Sequence, residues 1–447
     1  MIKKIDIFGI SIIFLVLILI LLNSNQIKIS NDSINYIQNS LLINSQKYDL
    51  NLVIENTTFY PILYPLIISN FFSKQETIEI FNCLNQIQNC SYYLEDLLIF
   101  QFFLFFISAI LIFLIAEKIF RQRIISYLGT FFFLINSFYI SRISFISSEI
   151  ISIFFLLLSF YFLISYSSEK KFYQLMIFTI FSSILFFSKP IFLVINLLFF
   201  IFLFFFKIFS KKEFFVSIIL IFIFFFASEK LKKYYYQIDN YDYELTVIEQ
   251  RTAYGFIKYN ELVPLFFSFI PKIGNEIVST FFKDSSERVI PQFNSRNYFY
   301  NNRDNLNKKK ENNLTNKEIL IKNLKNLDKQ VILTPIFLFR GIFMQAGKSD
   351  FYDLKKDSLY KNFFIYFNYV FFTFSKIYLL YLSLKAFIKV SKRNNDANTI
   401  FLFYIFVVFF THSILTHNLP RYTSILFGIG AVFLIQKIYK SIKKNLN

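Results

Sequence analysis

Asp32 stands in Asn31-Asp32-Ser33, shortly after the first apolar run, Ile7 to Leu22, and the proline-bracketed Tyr60-Pro61-Ile62-Leu63-Tyr64-Pro65 follows before the next hydrophobic run. A carboxylate at a membrane face can take the proton of an attacking hydroxyl beside a lipid-borne substrate, provided it comes within hydrogen-bond reach. A second acid, Glu149, follows Ser147-Ser148 at the start of an apolar run and is the only acid between Glu117 and Glu169. Arg142, Lys189 and Arg421 each stand alone between apolar runs. Three such cations brought together could hold a phosphate or pyrophosphate, arginine through two parallel hydrogen bonds and lysine as a point charge. Simpler roles compete at each position. Cations at span ends snorkel to lipid headgroups, and Ser-Ser-Glu is a favourable helix start whose acid suits the helix dipole. Ile34, Ile37 and Leu41 recur at helical spacing, so a short amphipathic helix is expected there, capped by Asn31, Asp32 or Ser33 and lying in the interface. A cap is also a rigid mount, so the two readings of Asp32 are compatible.

The elements that must position these residues are set by composition. The chain has 447 residues, 55% of them hydrophobic, with several apolar runs long enough to cross a hydrocarbon core of roughly 30 Å as helices. An all-α polytopic membrane protein is expected, with about ten transmembrane helices at Ile7–Leu22, 97–117, 124–141, 149–166, 173–188, 190–206, 214–228, 360–384, 398–413 and 422–436. The first has Lys3 and Lys4 ahead of it but no small-residue cleavage site behind it, so an uncleaved span is expected rather than a signal peptide. The 67 Phe and 29 Tyr carry no site inference, because Phe, Ile, Asn, Lys and Tyr are the residues of AT-rich codons.

With ten spans, the basic clusters at Lys3 and Lys4, at Lys118, Arg121 and Arg123, and at Lys170 and Lys171 fall on one side. So do Lys207, Lys211 and Lys212, then Lys385, Lys389, Lys392 and Arg393, and finally Lys437, Lys440, Lys443 and Lys444. The positive-inside rule places that side, and both termini, in the cytoplasm. Most of the net charge of +18 is then topological, and nucleic-acid binding is not expected. The chain divides into a membrane module 1–228 with a first outer segment 23–96, a second outer segment 229–359, and C-terminal helices 360–447. Leu262–Pro271 and Val331–Met344 are too short or interrupted to span, and read as interfacial or re-entrant helices. Cys83 and Cys90 share the first outer segment, where a disulfide and two free thiols both stay open. His412 and His417 miss same-face helical spacing and have no carboxylate nearby, so no metal site is expected. The chain holds no repeat, phosphate-binding loop, dinucleotide fingerprint or catalytic serine motif.

The order of parts resembles the polytopic glycosyltransferases of the GT-C class, especially the aminoarabinose transferase and protein O-mannosyltransferase-like branch. The resemblance rests on Asp32-Ser33 after the first span, the Pro-rich Tyr60–Pro65, Ser148-Glu149 ending a short outer loop, Lys189-Pro190 between two spans, and Arg421-Tyr422 opening the last. It covers residues 5–230 and the last span, and is loose between 229 and 397. It implies inverting transfer of a sugar from a polyprenyl-phosphate carrier to a lipid, glycan or protein acceptor at the outer face of a bacterial inner membrane. Asp32 would be the base, and Glu149 would seat the acceptor. Lys189 and Arg421 would neutralise the phosphate leaving group, with Tyr422, Arg142 and Tyr60 lining the substrate site. No cofactor is implied with certainty, and a divalent metal stays open: Phe59-Tyr60 stands where the aminoarabinose branch has Glu-Lys. The chain ends shortly after its last expected span, so the soluble C-terminal domain that some members carry is not expected. The competing expectations are a transporter or flippase of lipid-linked saccharides, whose site would lie near the bilayer midplane, and an O-antigen polymerase or ligase relying on outer arginines such as Arg340 or Arg421.

Overall fold

The computed structural model describes residues 9, 11–12, 15, 31–50, 52, 60–85, 94–143, 145–236, 259–268, 273–283, 327–343, 359–393, 396–415 and 423–446, with the backbone alone at 31–32, 273–275, 327–330, 359–365 and 446. The described residues are helical and form no β-strand. Among the described residues six helices are long and apolar enough to cross a membrane, and a bent pair makes a seventh if it counts as one span. The protein is an all-α integral membrane protein.

The chain divides into two compact units. The first comprises Met1–Tyr241, Ser358–Phe406 and Ile425–Asn447. It begins with α1 (Asn31–Lys47), the short α2 (Leu63–Ser69) and α3 (Lys74–Asn85). The spans α4 (Glu95–Phe120), α7 (Glu149–Glu169) and α10 (Lys211–Tyr236) follow, with the bent pair α5 (Arg123–Leu134) and α6 (Ser137–Ile143) between the first two. Between α7 and α10 lie two 15-residue helices, α8 (Phe172–Phe186) and α9 (Ile191–Phe205). At 1.5 Å per residue each is about 22 Å long, short of a roughly 30 Å hydrocarbon core. Each expected span from 97 to 228 therefore has its helix, but α8 and α9 are shorter than a usual span. The expected first span, Ile7–Leu22, lies outside the described residues apart from four scattered positions.

Local sequence explains where these helices start, bend and stop. Ser73 and Glu76 close a capping box at α3, as Ser210 and Glu213 do at α10: each glutamate accepts the serine N–H at 2.8 Å. The 55° bend between α5 and α6 falls at Asn136, whose Oδ1 accepts the Phe138 and Tyr139 N–H groups at 3.0 and 3.2 Å. Helices ending at the basic clusters turn through Arg121, Lys170, Lys207 and Arg393, all with positive φ of 54–60°. That left-handed turn usually falls to glycine, of which this chain has only 8. A cation at a helix C-terminus recovers part of the strain through the dipole. The last helices of this unit are α14 (Leu359–Ser391), the start of α15 (Ala397–Leu415), and α16 (Phe427–Leu446). α16 lies hard against α5, where a Cβ on Gly129 would meet Val432 Cγ2 at 2.6 Å.

The second unit comprises Asp242–Asp357 and Val407–Ser424. In it α11 (Leu262–Ser268) packs on α12 (Ile273–Phe281) and on α13 (Leu327–Phe343). The expected short apolar pieces are thus helices, and they meet in a small core of Leu262, Leu265, Leu333, Ile336 and Phe337. Cys83, at the end of α3, is disulfide-bonded, while Cys90 lies outside the described residues.

Candidate functional site

Several predicted residues meet in the first unit, around a break between α8 and α9. Proline at 190 cannot donate to the carbonyl a turn back, so the helix ending at Phe186 stops and a new one starts at Ile191. The break frees the Phe187 carbonyl, which accepts the Leu63 N–H at 3.0 Å and anchors the proline-bracketed segment. It also turns Lys189 towards α7, where its Nζ lies 3.3 Å from Glu149 Oε1. Both side chains are largely withdrawn from solvent, Lys189 at 14% and Glu149 at 4% exposure. One turn along α7, Ser152 Oγ donates to the Ser148 carbonyl at 2.7 Å and lies 3.1 Å from Ser188 Oγ, so a hydroxyl pair ties the two helices beside the ion pair.

The opposite wall is aromatic. Tyr36 of α1 lies 2.9 Å from Ser148 Oγ through its hydroxyl, and its ring is 4.6 Å from Tyr60 and 5.0 Å from Tyr64. Ser148 therefore holds α1 rather than capping α7 with its side chain. Tyr64 donates to Gln101 Oε1 at 2.8 Å, and Gln101 Nε2 donates in turn to the Ile143 and Phe145 carbonyls at 3.0 and 3.1 Å. Burial pushes the Tyr64 phenol well above its ordinary range and the charge on Glu149 adds to the rise, so it stays a donor. The Tyr60 backbone is held at both ends: its N–H donates to Asn39 Oδ1, and its carbonyl accepts the Tyr236 hydroxyl, each at 3.1 Å.

Asp32 lies in the first turn of α1, four residues before Tyr36, and its side chain is outside what is described. Residues 31–33 are inside the helix, which begins at Asn31, rather than capping it from outside. Its residues Ser33, Tyr36, Ile37, Ser40, Leu41 and Asn44 are buried against protein. Glu149 and Lys189 are thus paired, and Tyr60 is linked to them through Tyr36 of α1 and Ser148. Arg142 is placed differently: its guanidinium lies over the Phe138 and Phe145 rings at 5.2 and 5.1 Å, and among the described residues it forms no ion pair. Arg421 and Tyr422 lie outside the described residues. Among the described residues no three His, Cys, Asp or Glu side chains gather as a metal would need. His412 is buried, and His417 lies outside the described residues.

Sequence reasoning missed Tyr36, Gln101, Ser188 and the end of α10. Gln101 carried a usable signal, since a lone amide within an apolar span must find partners. Tyr36 carried none, because its partner Ser148 is 112 residues away. Compared with known proteins, the chain matches no family model and no curated protein.

Proposed function

We propose that this protein is a membrane glycosyltransferase that moves a sugar from a polyprenyl-phosphate carrier to a lipid, glycan or protein acceptor. The observation that carries the reading is the buried Glu149–Lys189 pair next to Ser148, which bonds Tyr36 of the helix that holds Asp32, with Tyr60 stacked on Tyr36. In the reaction, Asp32 takes the proton of the acceptor hydroxyl as its oxygen attacks the anomeric carbon, and the bond from that carbon to the phosphate oxygen breaks. Lys189 then shifts from Glu149 towards the departing phosphate, where negative charge grows in the transition state. Glu149 seats the acceptor, and Tyr60 and Arg142 line the substrate site.

The same reading takes ten spans, both termini cytoplasmic and the segments 23–96 and 229–359 outside a bacterial inner membrane. The basic left-handed turns at Arg121, Lys170, Lys207 and Arg393 support it, since all four belong to the clusters assigned to the cytoplasm. One observation favours a transporter of lipid-linked saccharides instead: Lys376 is fully buried within the span 366–391, 4.8 Å from the Phe427 ring centroid. Ionisable groups at such depth commonly mark a pathway.

Transfer of label from a mixed polyprenyl-phosphate-sugar pool by purified protein in lipid, with membrane extract as acceptor, separates these readings. Transfer by the wild type and not by Asp32→Asn is expected. Transfer by both discards Asp32 as the base, and transfer by neither favours transport.

A further inference from the structure

The seventh expected span, 214–228, is followed directly by Glu229, Lys230, Lys232 and Lys233. The helix instead runs on to Tyr236, two more turns. α10 is the least enclosed of the six long spans: only 17% of its most apolar window is buried within the protein, against 39–72% for the others. Phe215, Ile219, Phe222, Ile223 and Phe226 face outward. Its buried residues form one narrow stripe of Ser217, Ile221, Ser228, Lys232 and Tyr236.

A lysine on that stripe is out of character. Lys230 and Lys233 are exposed, as snorkelling side chains are. Lys232 is 2% exposed, with its Nζ 2.7 Å from Glu229 Oε1 and 5.5 Å from the Phe186 ring centroid. Glu229 itself is 38% exposed, so the pair joins a withdrawn cation to an anion that can swing into solvent. Phe186 ends α8, three residues before Lys189, and Tyr236, one turn beyond Lys232, holds the Tyr60 carbonyl. The cation thus stands between the lipid-facing surface of α10 and the site.

We infer that Lys232 is the docking point for the phosphate of a lipid that reaches the protein across α10, with Glu229 as the internal anion that this phosphate displaces. The ligand class is an isoprenoid-like lipid monophosphate: an apolar tail to lie along the outward phenylalanines and an anionic head to pair with the amine. The inference rests on the reading of a transferase that uses a lipid-phosphate donor, and it assigns that donor's phosphate a first contact before Lys189. Displacement exchanges one charge-assisted hydrogen bond for another, so removing Glu229 relieves competition and tightens binding.

The test is equilibrium binding of radiolabelled farnesyl monophosphate to the full chain in maltoside micelles, with farnesol as the neutral tail and inorganic phosphate as the head alone. Saturable binding is expected, weakened about tenfold or more by Lys232→Met, kept by Lys232→Arg and strengthened by Glu229→Gln. Binding within twofold of wild type in Lys232→Met overturns the site, as does weaker binding in Glu229→Gln. Farnesol binding as tightly overturns the phosphate contact, and inorganic phosphate competing as well as the lipid overturns the lipid assignment. If Lys232→Met does not accumulate, Glu229→Gln decides alone. Lys232-dependent binding without any sugar transfer keeps the site and sinks the transferase reading; transfer with Lys232-independent binding does the reverse.

Discussion

Replacing Lys189 by methionine keeps the length of the side chain and removes its charge from beside the buried Glu149. At the observed 3.3 Å, and with the effective dielectric of about 20 suited to protein sites, the attraction lost is about 5 kcal/mol. The same pair in bulk water would be worth about 1 kcal/mol. The two cases are well separated, and the 4% exposure of Glu149 selects the first. Breaking one side of a buried pair characteristically costs about 3–5 kcal/mol, because a charge is left uncompensated. Proton uptake caps the loss: neutralising an ordinary glutamate at pH 7 costs about 4 kcal/mol, and proportionately less as the pH falls.

The expected outcome is a loss of about 3–4 kcal/mol for Lys189→Met at pH 7, shrinking to about 1 kcal/mol near pH 5. Glu149→Gln/Lys189→Met should recover at least about 2 kcal/mol of the sum of the single losses, since neither partner is left charged and alone. The assay is reversible unfolding in mixed maltoside and SDS micelles, repeated at low and high salt. A buried pair is screened little by salt, so the losses should not change with it. A single loss below about 1 kcal/mol, or strict additivity in the double variant, would refute the claim that this pair is withdrawn from water.

Gln101→Leu strips one acceptor from Tyr64 and one donor from the Ile143 and Phe145 carbonyls, so a loss of about 3 kcal/mol is expected in the same assay. Lys170→Gly removes the strain of a left-handed turn at φ 55° and should stabilise the fold by about 1 kcal/mol; reporter fusions at the C-terminus will show whether loss of its charge also disturbs orientation. Glu76 accepts two hydrogen bonds from Ser73, which lower its pKa, so its contribution is present above the ordinary glutamate range and lost as the pH falls through the lowered value. Amide exchange in α3 should therefore quicken on acidification in the wild type and be insensitive to that step in Glu76→Gln.

The helices were legible because hydropathy is a local property: the apolar runs from 97 to 228 all became helical, the second as the bent pair α5 and α6 and the last running two turns past its expected end. The break at Lys189-Pro190 was legible for the same reason, since proline acts on its own carbonyl partner a turn away. Gln101 with Phe145 and Tyr36 with Ser148 were not, because those bonds join residues 44 and 112 apart. Arg142 lies over two phenylalanine rings that neighbour it in sequence, a contact its local sequence alone supplies. The end of α10 was misread because a hydropathy reading counts charges singly. Lys232 and Glu229 neutralise one another three residues apart, and the helix continues through them.

The position of the site follows from what breaks in membrane helices require. A helix that stops within an apolar environment exposes carbonyls and N–H groups that must be satisfied by protein. Here neighbouring protein satisfies them: the Phe187 carbonyl takes the Leu63 N–H, the Tyr60 backbone takes the side chains of Asn39 and Tyr236, and the Ile143 and Phe145 carbonyls take that of Gln101. Three polar breaks cost less together than apart, so they collect at one place, and the charged residues they carry collect with them. The Glu149–Lys189 pair is then held by this lattice of bonds as well as by its own attraction. That lattice can keep Lys189 in place when Glu149 lets go, as transfer of its charge to a phosphate would require. A site held only by the ion pair would collapse on releasing it; this one can exchange one anion for another without moving its walls.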